Sequence, residues 1–261
     1  MSVPRVPSAG DPAIIPLVRR AKTRKIAERE FRTDGDGSCM NIIVEIDGPV
    51  LDVAPAWYRA HREAAAKVGW AALDRPTFWR LTRKQGREAN LLRGAKPVKI
   101  KAYHAAFNER LEADETVATY ESYEGVDRVL ASLASKGSVR LVTLGSNVDA
   151  RRAILKQHDL MRCVERVERL TDDPRKRPGE LRILTAGEPR SLVVASGDSL
   201  MRAAGEADIP MVGVPRGPCS KDRLHRAGAD VMFTDIEDVW AAIAEGSQEL
   251  ERAGLLPPAI G

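Results

Sequence analysis

Glu45 and Asp47 stand two residues apart, directly after the apolar run Ile42-Ile43-Val44 and just before Gly48. Side chains at i and i+2 of a strand point the same way, so both carboxylates leave one face together. A short β-branched run ending in two acids and a glycine carries those carboxylates off the carboxyl end of a buried strand. That is the crevice in which open α/β sheets bind ligands. Such a pair suits Mg²⁺, which takes one or two carboxylates together with waters and phosphate oxygens. Taken alone, the same segment is equally a strand followed by an Asp-Gly turn.

The elements around it favour the crevice. Short apolar runs recur at 42–46, 140–144, 191–196, 211–214 and 230–233, with helical patterns between them. Strands alternating with helices predict an α/β fold, a Rossmann-like parallel sheet covered on both faces. Val126, Val129, Leu130 and Leu133 follow Gly125 at helical spacing, and Gly137 is expected to end that helix. Between the first strand and this helix lies a long stretch with almost no strand character. Its helical segments at 54–68, 76–85 and 98–113 carry Trp57, Tyr58, Trp79, Tyr103 and Phe107. Pro76 fits a first helical turn, and Asp74 just upstream can accept from its free amides. So many residues between neighbouring core elements are too many for a loop and enough for a small helical cap. A cap over a strand-end crevice can exclude water and choose substrates.

The expected organisation is a basic extension at 1–39, a core at 40–52 and 121–245, the cap at 53–120 and a loosely held tail at 246–261. A chain of 261 residues can bury a full core of this kind. Its net charge of +4 is local, because residues 1–32 hold eight bases against three acids, leaving 33 bases and 34 acids elsewhere. The extension, with a helix expected at 17–31, reads as a solvated tail. Nucleic-acid recognition is the sharper alternative, which no interleaved aromatics support. Met40, immediately before the first strand, is a second candidate translation start. No apolar run approaches the roughly 18 residues of a membrane span, and no membrane contact is expected. Cys39, Cys163 and Cys219 are scattered and odd in number, which argues against a disulfide framework and for a reducing cytoplasm.

Four separated pieces share an order that is more specific than any one of them: Glu45-Ile46-Asp47-Gly48, Leu141-Val142-Thr143, Lys176-Arg177-Pro178 and Ser196-Gly197-Asp198-Ser199. Together they resemble the haloacid dehalogenase-like (HAD) superfamily, in its phosphoglycolate-phosphatase-like branch with a helical cap. The resemblance covers about residues 40–240. It implies that residue 45 is the nucleophile that forms an acyl-phosphate, and that Asp47 protonates the leaving oxygen and then activates water. It implies that Thr143 bonds a phosphoryl oxygen and that Lys176 or Arg177 neutralises developing charge. Asp198 would ligate Mg²⁺ with residue 45 and the backbone carbonyl of Asp47. Gly48, Ser146 and Arg202 are the expected substrate-binding positions. Each motif also has a plainer role: Thr143 as a strand residue, Lys176 and Arg177 in a solvated basic run, Asp198 as a helix cap.

Two departures bear on the chemistry. The family's nucleophile is aspartate, and glutamate at 45 sets its carboxylate about 1.5 Å further out. A misplacement of about 1 Å can cost on the order of 10²-fold in rate. The second acid expected after Gly197-Asp198 is missing, and Arg202 lies nearest its position. A guanidinium there would repel Mg²⁺, yet could hold phosphate bidentately in its place. The expected function is therefore a Mg²⁺-dependent phosphohydrolase for a small phosphate monoester, weakened by Glu45. The alternative is an inactive relative that binds a phosphorylated ligand or partner.

Overall fold

Strand β1 (Met40–Glu45) is buried along its whole length and its residues alternate between two cores. Ile42 and Val44 join one apolar cluster and Ile43 joins the other, so neither face of the strand is free to be polar. The computed structural model describes residues 40–85, 91–188 and 190–254. The basic extension, its expected helix at 17–31 and residues 255–261 lie outside the described residues.

After β1 the chain forms β2 (Leu51–Asp52), then α1 (Ala54–Lys67), α2 (Arg75–Gln85), α3 (Pro97–Leu111) and α4 (Asp114–Val117). It returns through β3 (Glu121–Ser122), which pairs antiparallel with β2. There follow α5 (Val126–Ala134), β4 (Gly137–Thr143), α6 (Val148–Gln157), a 3-10 turn at Leu160–Cys163, and β5 (Arg166–Arg169). The last part comprises α7 (Arg177–Leu184), β6 (Ser191–Ala195), α8 (Asp198–Glu206), β7 (Met211–Gly213), α9 (Lys221–Ala227), β8 (Val231–Met232), α10 (Ile236–Glu245) and α11 (Gln248–Arg252). Six strands make one parallel sheet in the order β5-β4-β1-β6-β7-β8. The chain builds outward from β1 through β4 to β5, then crosses to β6 on the other side. The strand ends beside β1 are therefore the switch point at which such sheets open a ligand crevice.

The helical insert α1–α4 has its own apolar cluster, centred on Phe78, Leu92, Tyr103 and Phe107. Trp57 meets Phe107 edge-on, with ring centroids 5.7 Å apart. His61 is buried within this cluster; its Nδ1 lies 2.7 Å from the Tyr103 hydroxyl and its Nε2 accepts from the Leu73 amide at 3.0 Å. Burial lowers the imidazole to about 4, so it packs as a neutral ring. Asp74 accepts from the Thr77 amide at 2.9 Å, as its place before Pro76 suggests.

Three elements differ from expectation. Gly137 opens β4 rather than closing α5, and it must be glycine there because a Cβ would lie 1.9 Å from the Met40 carbonyl oxygen. Strand β5 carries one buried residue, Val167, among charged neighbours, the composition of an edge strand that avoids further pairing. Residues 248–252 form α11 with Leu250 fully buried, so this part of the expected tail is packed onto the core. Among the described residues no helix is long and apolar enough to cross a membrane.

Candidate functional site

Glu45, Thr143 and the Ser196-Gly197 pair sit at the carboxyl ends of the adjacent strands β1, β4 and β6. Past β1 the chain turns sharply: the Gly48 amide donates to Leu51 O at 3.0 Å, and Gly48 adopts φ +117°. A Cβ on Gly48 would stand 2.2 Å from Ser196 Oγ and 2.9 Å from Gly217 Cα. Glycine is therefore required both by conformation and by the closeness of two neighbouring loops. Gly48 serves the turn in this way, where the resemblance makes it a substrate contact.

The longer side chain of Glu45 reaches across to the β6–α8 loop. Its Oε2 accepts from the Ser196 amide at 2.6 Å and the Gly197 amide at 2.8 Å, with Ser196 Oγ 3.2 Å away. Burial raises the carboxyl to about 7 despite the Ser196 amide bond, which opposes it; the nearby Asp47 charge adds to the rise. Ser196 Oγ also lies 2.7 Å from the backbone carbonyl of Asp47, to which it donates.

Asp47 is held from the α6 side. The Nε–H of Arg151 is shared by both Asp47 carboxylate oxygens at 3.0 Å, and Thr143 Oγ1 donates to Oδ2 at 3.1 Å. Arg151 is almost wholly buried. Its terminal nitrogens also donate to Glu112 Oε2 at 3.0 Å, Glu112 Oε1 at 3.3 Å and Asn147 O at 3.0 Å, and its guanidinium lies over the Tyr120 ring. Asn147 caps α6 by accepting from the Ala150 amide, which sets Arg151 one turn into the helix and aimed at the strand ends. Burial works against the ionised form of Glu112, but Arg151 and the Asn147 amide more than offset it and hold its carboxyl below the usual range. The Ser146 hydroxyl also donates to Glu112, so this expected substrate contact is engaged within the protein.

Asp198 opens α8 with both oxygens occupied. Arg223 of α9 donates from Nε to Oδ2 and from a terminal nitrogen to Oδ1, each at 3.0 Å, and Arg202 bonds Oδ2 from one helical turn away. Burial opposes ionisation here too, and the two guanidiniums reverse its effect, keeping the carboxyl below the usual range. The rest of Arg202 is solvent-facing. Of the two basic candidates in the third motif, Lys176 is exposed at the start of α7. Arg177 turns inward to the Thr171 and Asp172 carbonyls and the Ser199 hydroxyl.

A cavity of about 310 Å³ opens above the strand ends, with walls that include Trp57, Thr82, Leu91, Phe107, Leu111 and Tyr120 of the insert and Leu144, Pro218 and Cys219 of the core. Glu45, Asp47 and Asp198 line it; Lys176, Arg177, Arg202 and Ser146 do not. Arg151, Arg223 and Glu112, which the sequence reading missed, do line it. Arg151-Arg152 and the 221–226 segment look like solvated helix faces in the sequence. The one local signal was Asn147, a cap that fixes where the fourth residue onward must point. Among the described residues no group of three or more His, Cys, Asp or Glu side chains is arranged to hold a metal ion.

No family model matches the chain, and no curated protein matches it in sequence. Solved structures do match. A haloacid dehalogenase-like hydrolase family protein from Streptococcus pneumoniae superposes with a TM-score of 0.64 at 12% identity, over 78% of this chain and 98% of that one. A predicted phosphatase from Clostridium acetobutylicum gives 0.62 at 15%, over 80% and 99%. A predicted phosphoglycolate phosphatase from Haemophilus somnus gives 0.57 at 16%, over 82% and 100%. At such identities the shared property is architecture, and the architecture of this chain is that of the haloacid dehalogenase-like hydrolases.

Proposed function

We propose that the chain is a non-hydrolytic member of this fold, which holds a small molecule between its core and a cap formed by the helical insert. The observation that carries this reading is the closure of Arg223 on both carboxylate oxygens of Asp198. Mg²⁺ does not fit the donor set as it stands. Asp198 is neutralised by two guanidiniums, Glu45 Oε2 is spent on backbone amides, and the Asp47 carbonyl accepts from Ser196. A cation would have to displace Arg223, whose positive charge opposes its approach. Glu45 is also a poor nucleophile where it lies, because its extra reach is used to meet the β6–α8 loop, where the Ser196 and Gly197 amides hold Oε2.

A second reading, a slow phosphohydrolase for a small phosphate monoester, is supported by the retained Thr143–Asp47 contact at 3.1 Å beneath the cavity. One experiment separates the two. Hydrolysis of an aryl phosphate is followed with and without Mg²⁺ for the native chain, Glu45→Asp and the inactive reference Asp47→Asn. The non-hydrolytic reading expects all three to match. Mg²⁺-dependent turnover by the native chain that Asp47→Asn abolishes, rising about 10²-fold in Glu45→Asp, would establish the hydrolase instead.

A further inference from the structure

Four carboxyl groups line the cavity: Glu45, Asp47, Glu112 and Asp198. Three of them are met by cations. Arg151 bonds Asp47 and Glu112, and Arg223 and Arg202 bond Asp198, so both oxygens of each of these acids have a donor. Glu45 has no cationic partner among the described residues, and the amides that hold it both fall on Oε2. Its Oε1 has no hydrogen-bond partner among the described residues. The buried side-chain atoms that lack a partner lie elsewhere, on Asn41, Arg59, Thr82, Arg83, Arg110 and Thr116, so Oε1 keeps some open surface, and the space that Glu45 borders is the cavity. A carboxyl so nearly covered calls for a donor, and for a counter-charge when ionised, from whatever fills that space. Arg151 and Arg223 each keep one terminal N–H without a partner, so donors for an anion exist and the balance of charge sets the preference. An anion would bring a further negative charge to a lining of four carboxyl groups and two guanidiniums, whereas an ammonium supplies the one counter-charge that is missing.

We infer that Glu45 is the ligand-binding group of this cavity and that the occupant is a primary amine on a compact apolar body, its ammonium donating to Oε1. The inference rests on the non-hydrolytic reading. Mg²⁺ would need Asp198 and so the removal of Arg223, but an ammonium takes the one open oxygen and leaves both arginines in place. Trp57, Leu91, Phe107, Leu111 and Leu144 supply apolar wall for the body of the ligand. The volume, at the small end of the roughly 300–1,000 Å³ usual for small-molecule sites, suits a single ring on a short arm.

The test uses probes that share one ring and differ in their polar end, 2-phenylethylamine, 2-phenylethanol and 3-phenylpropanoate, titrated calorimetrically into the full chain without metal. Saturable binding of the amine at least about tenfold tighter than that of either other probe is expected, because only the amine brings a charged donor to the carboxylate. Glu45→Gln keeps the length and can still accept from the two amides, but it carries no charge. It should weaken amine binding at least about tenfold and alter alcohol binding by less than about threefold. The comparison of probes on the native chain does not depend on the fold of that variant, which urea unfolding checks. Amine binding that is not saturable, or is no tighter than that of the alcohol or the propanoate, would overturn the inference while the non-hydrolytic reading stands. Equal losses for amine and alcohol in a folded Glu45→Gln would do the same, leaving Glu45 as a fastener of the β6–α8 loop. Mg²⁺-dependent hydrolysis of 2-phenylethyl phosphate that Asp47→Asn abolishes would overturn that reading itself.

Discussion

Replacing Arg151 with methionine removes one cation from between two carboxylates and leaves the volume almost unchanged. In the native chain the Arg151 side chain is 3% exposed, against 19% for Asp47 and 28% for Glu112. Breaking a buried ion pair from one side costs about 3–5 kcal/mol, because the surviving charge stays where water cannot solvate it. Both survivors here touch some water, which lowers the expectation to about 2–4 kcal/mol. For a domain of this size that is a fall in Tm of roughly 5–15 °C. Urea unfolding of the native chain, Arg151→Met and the triple variant Arg151→Met/Asp47→Asn/Glu112→Gln measures it. The triple variant no longer strands a charge and should recover at least about half of the loss. A single-variant loss under about 1 kcal/mol, or a triple variant no more stable than the single, would refute the claim that Arg151 is chiefly a counter-charge.

Three further outcomes follow from the same geometry. Gly48→Ala must fit a Cβ 2.2 Å from Ser196 Oγ at φ +117° and should lose at least about 3 kcal/mol in urea unfolding; Gly69→Ala, at φ +62° with open space around it, should lose only about 1–2. Comparable losses would show that crowding is not what fixes Gly48. His61 titrates near 4 in the folded chain and near 6.5 when unfolded, so the unfolded state binds the extra proton between those values and stability falls as pH drops from 6.5 to 4. The loss reaches about 3 kcal/mol at most, and His61→Gln should flatten this part of the profile; an unchanged slope would assign it elsewhere. Mg²⁺ should leave the native Tm unmoved but raise that of Arg202→Ala/Arg223→Met, in which Asp198 is freed. A Mg²⁺-induced rise in the native protein would contradict the donor-set argument.

The strands that organise the sheet were legible because both of their faces are buried. Ile42–Val44, Leu141–Val142 and Leu192–Ala195 read as apolar runs for that reason. β5 was not legible, since an edge strand with only Val167 buried carries no such run. At the site, Glu45, Asp47 and Asp198 line one cavity and Thr143 bonds Asp47; strand-end spacing pointed to the first two, and the family resemblance to Thr143 and Asp198. Their partners were hidden for a physical reason. Arg151 lies 104 residues from Asp47 and 39 from Glu112, Arg223 lies 25 from Asp198, and a long polar side chain on a helix looks the same in sequence whether it faces water or a buried carboxylate. That Lys176 and Arg177 lie outside the cavity lining was hidden for the same reason. Side-chain direction at the start of α7 turns on loop carbonyls that no local pattern marks.

Arg151 and Arg223 do more than balance charge, for each spans the boundary between the two layers. Arg151 joins Asp47 on the sheet side to Glu112 beyond α3, and Arg223 joins Asp198 to the Thr82 carbonyl in α2. The Ser220 amide adds a third tie by donating to the Arg83 carbonyl at 3.0 Å. Lifting the helical layer breaks the ties of Arg151 to Glu112, of Arg223 to the Thr82 carbonyl and of Ser220 to Arg83 together, while Asp47 and Asp198 keep their guanidiniums. On the proposed ligand-holding role, release of a bound molecule passes through the breaking of these ties, so Arg223→Met should speed its dissociation.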